Sequence, residues 1–96
     1  MFVQVIEFST DRIEEGQAAV DEYRASTEGR RTNTRGILAA DRDNPGKYVN
    51  IVFFPSYEEA MKNSEMPETQ KLSQTLMGLT NGEPTFRNLD ILSDMD

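Results

Sequence analysis

The sequence contains no cysteine and no histidine among its 96 residues. Without cysteine, the chain forms no disulfide and offers no thiolate to a nucleophilic reaction or to zinc. Without histidine, it lacks the usual general base near neutral pH, the commonest transition-metal ligand and the usual proximal ligand of haem. We therefore expect neither a bound metal nor a haem, and no cofactor.

One short string, Asp41–Gly46, is similar to the start of a calcium-binding loop. It has aspartate at the first and third loop positions and glycine at the sixth. The twelfth position is Val52 instead of the glutamate that holds calcium through both carboxylate oxygens, and no helix pattern flanks the string on both sides. The decisive ligand is missing, so we expect no calcium site.

Positive charge is also scarce, with 10 basic against 17 acidic residues and a formal net charge of −7. Nucleic acids and anionic membranes are bound mainly through lysine and arginine, so neither is an expected partner. The chain begins at once with a strand pattern and shows no basic leader, cleavage site or long apolar segment. We expect a cytoplasmic protein with no signal peptide and no membrane span.

What the sequence does contain is one short apolar stretch, Tyr48–Phe54, bounded by Gly46 and Pro55. Its residues are mostly β-branched or aromatic, which predicts a central strand covered on both faces. Successive side chains of a strand point to opposite faces. The prediction therefore divides the stretch into two sets, Tyr48, Asn50, Val52 and Phe54 on one face and Val49, Ile51 and Phe53 on the other.

A helix is predicted directly after this strand. Pro55 cannot donate a hydrogen bond to a sheet, and Ser56 followed three residues later by Glu59 has the pattern of a capping box. Asp11 followed by Glu14 has the same pattern, so a first helix is predicted to begin there.

The elements follow one another in the order β-α-β-β-α-β, within a single domain covering residues 1–96. This order predicts an α+β, ferredoxin-like antiparallel sheet with helices on one face. The second helical element is broken near Asn63–Met66 and resumes at Pro67. The predicted bounds are Phe2–Phe8, Thr34–Arg42, Tyr48–Phe54 and Thr85–Leu92 for the strands, Asp11 to about Ser26 and Ser56 to about Thr80 for the helical elements, and Ser93–Asp96 for a frayed acidic tail.

The other face of such a sheet has no helix to cover it. A chain of this size hides only about 60–65% of the surface that its unfolded form exposes, so its core is thin. The natural cover for the uncovered face is a second copy of the chain, which predicts a homodimer joined sheet to sheet. The apolar residues predicted to form or border this face are Val3, Val5, Ile37, Val49, Ile51 and Phe53.

In the stretch Phe54–Ala60, with sequence FPSYEEA, a strand ends in an aromatic residue and a helix then opens with serine followed by Glu-Ala. In a chain of this length it resembles the dimeric α/β-barrel superfamily and, within it, the antibiotic-biosynthesis-monooxygenase-like domains. The similarity covers roughly Phe2–Leu92. The resemblance implies a homodimer whose two sheets face each other as a barrel, with a separate pocket in each subunit between sheet and helices.

The cofactor-free monooxygenases of that family hold a polycyclic aromatic substrate with an asparagine and a tryptophan four residues apart on the strand before the helix. Asn50 matches the asparagine and Phe54 stands where the tryptophan would be, but this chain has no tryptophan. Asn63 lies about where many relatives carry a helix histidine. Haem-degrading relatives depend on a histidine, so this chain departs from that branch.

The candidate ligand-binding residues are therefore Tyr48, Asn50, Phe54 and Asn63. Three of them have a structural alternative: Asn50 as an amide bonded to Gln4 or to a loop carbonyl, Tyr48 as an edge of the core, and Asn63 as a local cap. Two functions stay open, a dimer that binds a small aromatic molecule without chemistry of its own and a cofactor-independent oxygenase acting on an aromatic, polyketide-type substrate.

Overall fold

The computed structural model describes residues 1–94 and confirms the predicted β-α-β-β-α-β order. The second helical element is split at Met66, as predicted, into two helices. Met95 and Asp96, at the end of the predicted acidic tail, lie outside the described residues. The elements are β1 (Phe2–Ser9), α1 (Ile13–Ser26), β2 (Arg35–Ala40), β3 (Lys47–Phe54), α2 (Tyr57–Glu65), α3 (Pro67–Met77) and β4 (Thr85–Asp90).

The four strands form one antiparallel sheet in the order β2-β3-β1-β4. Strands β1 and β3 occupy the centre and pair along their whole length, from Phe2 opposite Phe54 to Ser9 opposite Lys47. These two strands carry most of the β-branched and aromatic residues of the sheet, which suits a central position. The predicted central placement of β3 is confirmed.

The strand registers sort the side chains into two faces. We call the face over which α2 packs the helical face and the opposite one the bare face. The helical face carries Phe2, Gln4, Ile6, Phe8, Gly36, Leu38, Ala40, Tyr48, Asn50, Val52, Phe54, Phe86, Asn88 and Asp90. The bare face carries Val3, Val5, Glu7, Ser9, Arg35, Ile37, Ala39, Lys47, Val49, Ile51, Phe53, Thr85, Arg87 and Leu89. The faces predicted for the residues of β3 are confirmed.

The core is small and lies at one end of the helical face. Phe2 and Phe54 are each 3% exposed and pack with Ala60 of α2, and Val52 and Met61 complete the cluster. Helix α3 packs on both α1 and α2, which joins the three helices into one layer. The core therefore covers the end of the helical face near Phe54 and leaves the middle of that face less covered.

The two predicted capping boxes have different outcomes. At α2 the side chain of Ser56 accepts a hydrogen bond from the Glu59 N–H (3.2 Å), so that cap is confirmed. At α1 the prediction was wrong, because the cap position is Arg12 and no side chain caps it. The Thr10 hydroxyl lies just before this helix, where it accepts from the Arg12 N–H (2.9 Å) and donates to the Leu79 carbonyl (2.6 Å).

Two strands are shorter than predicted. Strand β2 ends at Ala40 because the side chain of Asp41 accepts the Asp43 N–H (3.0 Å) and starts the turn towards β3. Strand β4 ends at Asp90, and the last ladder bond runs from the Ile91 N–H to the Met1 carbonyl (2.9 Å). Leu92 lies beyond the end of this strand and is 95% exposed.

The bare face is apolar across its centre. Val5, Val49 and Ile51 are only partly buried, and Leu89 on the edge strand is 45% exposed. The residues predicted for this face are confirmed to share it. Between residues 1 and 94, no helix is long and apolar enough to cross a membrane.

Candidate functional site

A row of four side chains crosses the middle of the helical face. Leu38 lies opposite Asn50, Asn50 opposite Ile6, and Ile6 opposite Phe86, so the row has one member on each strand. Leu38 is 39% exposed and Phe86 54% exposed, because the core cluster lies nearer to Phe54. This Asn50 row is an apolar floor with a single amide in it.

Among the described residues, 1–94, the Asn50 amide has no hydrogen-bond partner. Its cross-strand neighbours Leu38 and Ile6 are apolar, and within residues 1–94 its side chain makes no hydrogen bond to another protein group. Gln4, the alternative partner predicted for it, instead donates to the Asn88 side chain (3.3 Å). The partly buried amide of Asn50 can therefore accept a hydrogen bond from a ligand or donate one to it.

Aromatic pairs lie on both sides of the Asn50 row. On one side the rings of Tyr48 and Phe8 stack with centroids 5.7 Å apart. On the other side Phe54 and Phe2 meet at 6.3 Å in the core. Tyr48 is partly buried, so the ring of the first pair is accessible to a ligand and can form a wall beside the Asn50 row. Phe54 is only 3% exposed, so the second pair closes the other end of the row and offers little ring surface to a ligand.

Asn63 belongs to a partly buried hydrogen-bond network between the helices. Its side-chain oxygen accepts the Thr32 N–H (3.3 Å) and its amide nitrogen donates to the Tyr23 hydroxyl (3.3 Å). The Tyr23 hydroxyl also pairs with the hydroxyl of Thr69 (2.8 Å). Asn63, 8% exposed, thus joins α1, α2, α3 and the segment before β2. Tyr23, Thr32 and Thr69 were not predicted as its partners, because no local pattern links positions so far apart in the sequence.

Removing the Tyr23 hydroxyl tests this network. Tyr23→Phe leaves Asn63 and Thr69 without a shared partner, and we expect a loss of about 1–3 kcal/mol in the free energy of unfolding. Urea denaturation followed by circular dichroism measures it. Tyr57→Phe is the matched control, because the Tyr57 side chain is 51% exposed and its hydroxyl makes no hydrogen bond within the described residues. Equal effects of the two substitutions would contradict a stabilising role of the network.

Exposed hydrogen bonds of Arg30 also fix the position of the segment before β2. Arg30 donates to the carboxylate of Glu68 at the start of α3 (2.7 Å) and to the Ser26 carbonyl (2.6 Å). The hydrogen bond from Arg30 lowers the pKa of Glu68, and the backbone N–H of Glu68 lowers it further. Both partners of the ion pair are partly exposed, so its main effect is on the position of the segment.

A polar cleft of about 340 Å³ lies where the β2–β3 turn meets the start of β4, and it shares Phe8 and Tyr48 with the aromatic wall beside the Asn50 row. The amide of Asn44 and the backbone N–H of Asp43 lower the pKa of Asp41 there by hydrogen bonding. The lining is mostly polar and charged, which does not suit an apolar aromatic ligand. It consists of Glu7, Phe8, Ser9, Asp41, Asn44, Lys47, Tyr48, Val49, Asn81, Glu83 and Thr85. Nowhere in residues 1–94 do three or more acidic side chains cluster closely enough to hold a metal ion.

A four-stranded antiparallel sheet with helices on one face is a ferredoxin-like fold, and this chain shares that fold with solved structures of antibiotic biosynthesis monooxygenases. The crystal structure of an antibiotic biosynthesis monooxygenase matches with a TM-score of 0.78 and 15% identity, over 97% of this chain and 100% of that chain. SnoaB, a cofactor-independent oxygenase from Streptomyces nogalater, matches with a TM-score of 0.81 and 16% identity, over 98% of this chain and 95% of that chain. Rv0793 from Mycobacterium tuberculosis matches with a TM-score of 0.80 and 13% identity, over 99% of this chain and 98% of that chain.

No protein-family model and no curated protein sequence matches the chain. The three solved structures are at most 16% identical to it, and the similarity therefore concerns the fold. The fold implied by the stretch Phe54–Ala60 is confirmed over nearly the whole chain.

Proposed function

We propose that this protein is a homodimer that binds a small, flat aromatic molecule in a pocket of each subunit, between the helical face and the helices. The observation that carries the proposal is the Asn50 row, in which one unbonded amide lies among apolar side chains. Ligand sites of proteins are mostly apolar with a few placed polar groups, and this row has that composition.

The roles of the candidate residues follow from their surroundings. Asn50 orients a carbonyl or phenol oxygen of the ligand, and Tyr48 with Phe8 provides the aromatic wall. Phe54 closes the opposite end, and Asn63 keeps the helices and the segment before β2 in place around the pocket. Among the sheet positions of the helical face, Asp90 alone is charged, and it lies at the far end beside Phe2. We therefore propose an uncharged ligand.

The proposed homodimer is supported by the bare face. Ile37, Ile51 and Val5 lie side by side across three strands, and no helix packs over them within the described part of the chain. Apolar area left in water costs about 25 cal/mol per Å², and a second copy of the same face removes it from water on both subunits. A sheet-to-sheet interface of this kind is expected to bury more than about 1,200 Å² in total.

The alternative proposal is a cofactor-independent oxygenase acting on an aromatic, polyketide-type substrate. It is supported by the similarity of the fold to SnoaB, an oxygenase of that kind, and by the position of Asn50 in the middle of the floor. With no histidine and no cysteine in the chain, the protein would position the substrate and stabilise an anionic form of it. Reaction with oxygen would then depend on the electron-rich ring of the substrate.

Oxygen uptake separates the two proposals. If the protein binds 1,8-dihydroxyanthrone but leaves the rate of oxygen uptake at its uncatalysed value, the binding function is supported. Uptake that rises in proportion to protein concentration and is lost in Asn50→Leu supports the oxygenase.

Asn50→Leu also tests the site itself. The substitution removes the amide but keeps the floor apolar, so we expect affinity for 1,8-dihydroxyanthraquinone to fall about tenfold or more, with unfolding free energy equal or higher. Fluorescence titration and urea denaturation measure the two quantities. Gln4→Leu is the matched control, because it removes an amide from the same face that already has a partner in Asn88. Strong destabilisation by Asn50→Leu with unchanged affinity would mean that Asn50 is a structural amide.

A further inference from the structure

Asn81 is the one asparagine of the sequence that is followed by glycine. The pair lies between α3 and β4, and both residues are exposed. Asparagine is a thermolabile residue because the backbone nitrogen of the next residue can attack its side-chain carbonyl carbon. A side chain on that next residue hinders the attack. Gly82 has none, and apart from its chain neighbours no described residue has an atom within 4 Å of the place its Cβ would take, so its nitrogen is open to approach.

Neither of the two reacting groups is held by a hydrogen bond. Within residues 1–94 the Gly82 N–H donates to no protein group, and the Asn81 side chain neither donates nor accepts. The backbone beside them is fixed, because the Asn81 N–H donates to the Ser9 carbonyl (2.7 Å) and the Thr80 hydroxyl donates to the Gly82 carbonyl (3.1 Å). The Asn81 side chain and the Gly82 nitrogen can therefore meet without breaking a bond to another residue.

The other asparagines of the chain are less suited to this attack. Asn44 precedes proline, whose nitrogen carries no hydrogen. Asn50 and Asn88 lie inside strands, and each is followed by a bulky apolar residue. The side chain of Asn63 is bonded through both its oxygen and its nitrogen. The backbone nitrogen after Asn33 donates to a carbonyl of β3 (2.8 Å). Only Asn81 combines exposure, free reacting groups and a following glycine.

We propose that Asn81 is a site of spontaneous deamidation. The Gly82 nitrogen forms a bond to the side-chain carbonyl carbon of Asn81, its hydrogen passes to the departing amide nitrogen, and ammonia leaves. Water then opens the resulting five-membered succinimide ring at one of its two carbonyl groups. Opening gives aspartate or, where the main chain continues through the former side chain, isoaspartate. The reaction consumes one water and releases one ammonia, with no change in oxidation state.

Deamidation adds a carboxylate to the polar cleft at the β2–β3 turn. Asn81 lines this cleft together with Glu7, Asp41 and Glu83, and Lys47 is the one basic residue among the described residues that line it. A further negative charge there repels the carboxylates already present. The modified protein is therefore expected to be more acidic and to unfold at a lower temperature than the unmodified one.

Peptide mass spectrometry of the full-length protein after incubation at mildly alkaline pH tests the site. Deamidation raises the mass of a peptide by about one dalton, and electron-transfer fragmentation distinguishes isoaspartate from aspartate. We expect Asn81 to react about tenfold or more faster than any other asparagine, with isoaspartate among its products. Asn81→Gln is the matched control, because it keeps a side-chain amide but would have to close a larger ring. The change in mass and charge should be lost in that variant.

Asn81 that stays intact, or that reacts no faster than the other asparagines, would overturn the proposal, as would an equally fast change of charge in Asn81→Gln. Asn81→Asp tests the consequence for the cleft, because it introduces the charge without the altered backbone. We expect its thermal midpoint to lie below that of the wild type, and an unchanged midpoint would show that the added carboxylate is not repelled there. The reaction needs no ligand, so these outcomes are independent of the proposed binding function.

Discussion

Replacing Ile51 by aspartate is expected to convert the proposed dimer into folded monomers. Ile51 lies in the middle of the bare face, between Val5 and Ile37 on the neighbouring strands. In a sheet-to-sheet interface the carboxylate introduced by Ile51→Asp would be buried without a partner. This burial costs several kcal/mol and raises the dissociation constant about a hundredfold or more. The helical face, which carries the core, is on the other side of the sheet and is not changed.

Light scattering and sedimentation velocity at micromolar concentration measure this result. Ala18→Asp adds the same charge at an exposed position of α1 and should keep the dimer mass. A folded wild-type protein of monomer mass would contradict the proposed homodimer. A dimer that persists in Ile51→Asp would show that another surface joins the subunits.

The second large effect is expected on stability. Phe54→Ala should lower the unfolding free energy by about 3–5 kcal/mol, because it leaves a cavity beneath α2. Phe54 is 3% exposed and is one of four buried apolar residues in the described chain, with Phe2, Val3 and Ala60. Domains are typically stable by only about 5–15 kcal/mol, so a thin core gives one phenylalanine a large share of the total.

Urea denaturation of Phe54→Ala and Phe86→Ala measures this difference. Both substitutions remove a phenylalanine from the helical face, but Phe86 is 54% exposed at the open end of the Asn50 row. We expect Phe86→Ala to cost about 1 kcal/mol or less in stability and to weaken binding of 1,8-dihydroxyanthraquinone. If Phe54→Ala also costs only about 1 kcal/mol or less, the packing around Phe54 contributes little to the stability of the fold.

Asn50 and Phe54 illustrate how far a pattern in the sequence extends. They are four residues apart on one strand, and alternation correctly predicts that they share a face. Their environments nevertheless differ, since Phe54 is buried beneath α2 and the Asn50 amide has no bonded neighbour within residues 1–94. Spacing along a strand determines the face to which a side chain points, whereas the elements that pack over that face determine how exposed the side chain is.

The sequence by itself determined the features that depend on neighbouring residues. These are the order of the elements, the two faces of β3 and the Ser56 cap of α2, because strand alternation and capping act within a few positions of the chain. The order of the elements was sufficient to predict the ferredoxin-like sheet and its uncovered face.

Only the tertiary structure decided which distant groups meet. The Asn50 row needs the strand order β2-β3-β1-β4 and three registers together, and the Asn63 network needs partners from α1, α3 and the segment before β2. Beside the cap predicted at Asp11, the Thr10 hydroxyl donates to the carbonyl of Leu79, which is 69 residues away in the chain. Hydrogen bonds and packing depend on distance in space, and folding brings these groups within a few ångströms from positions that no local pattern connects.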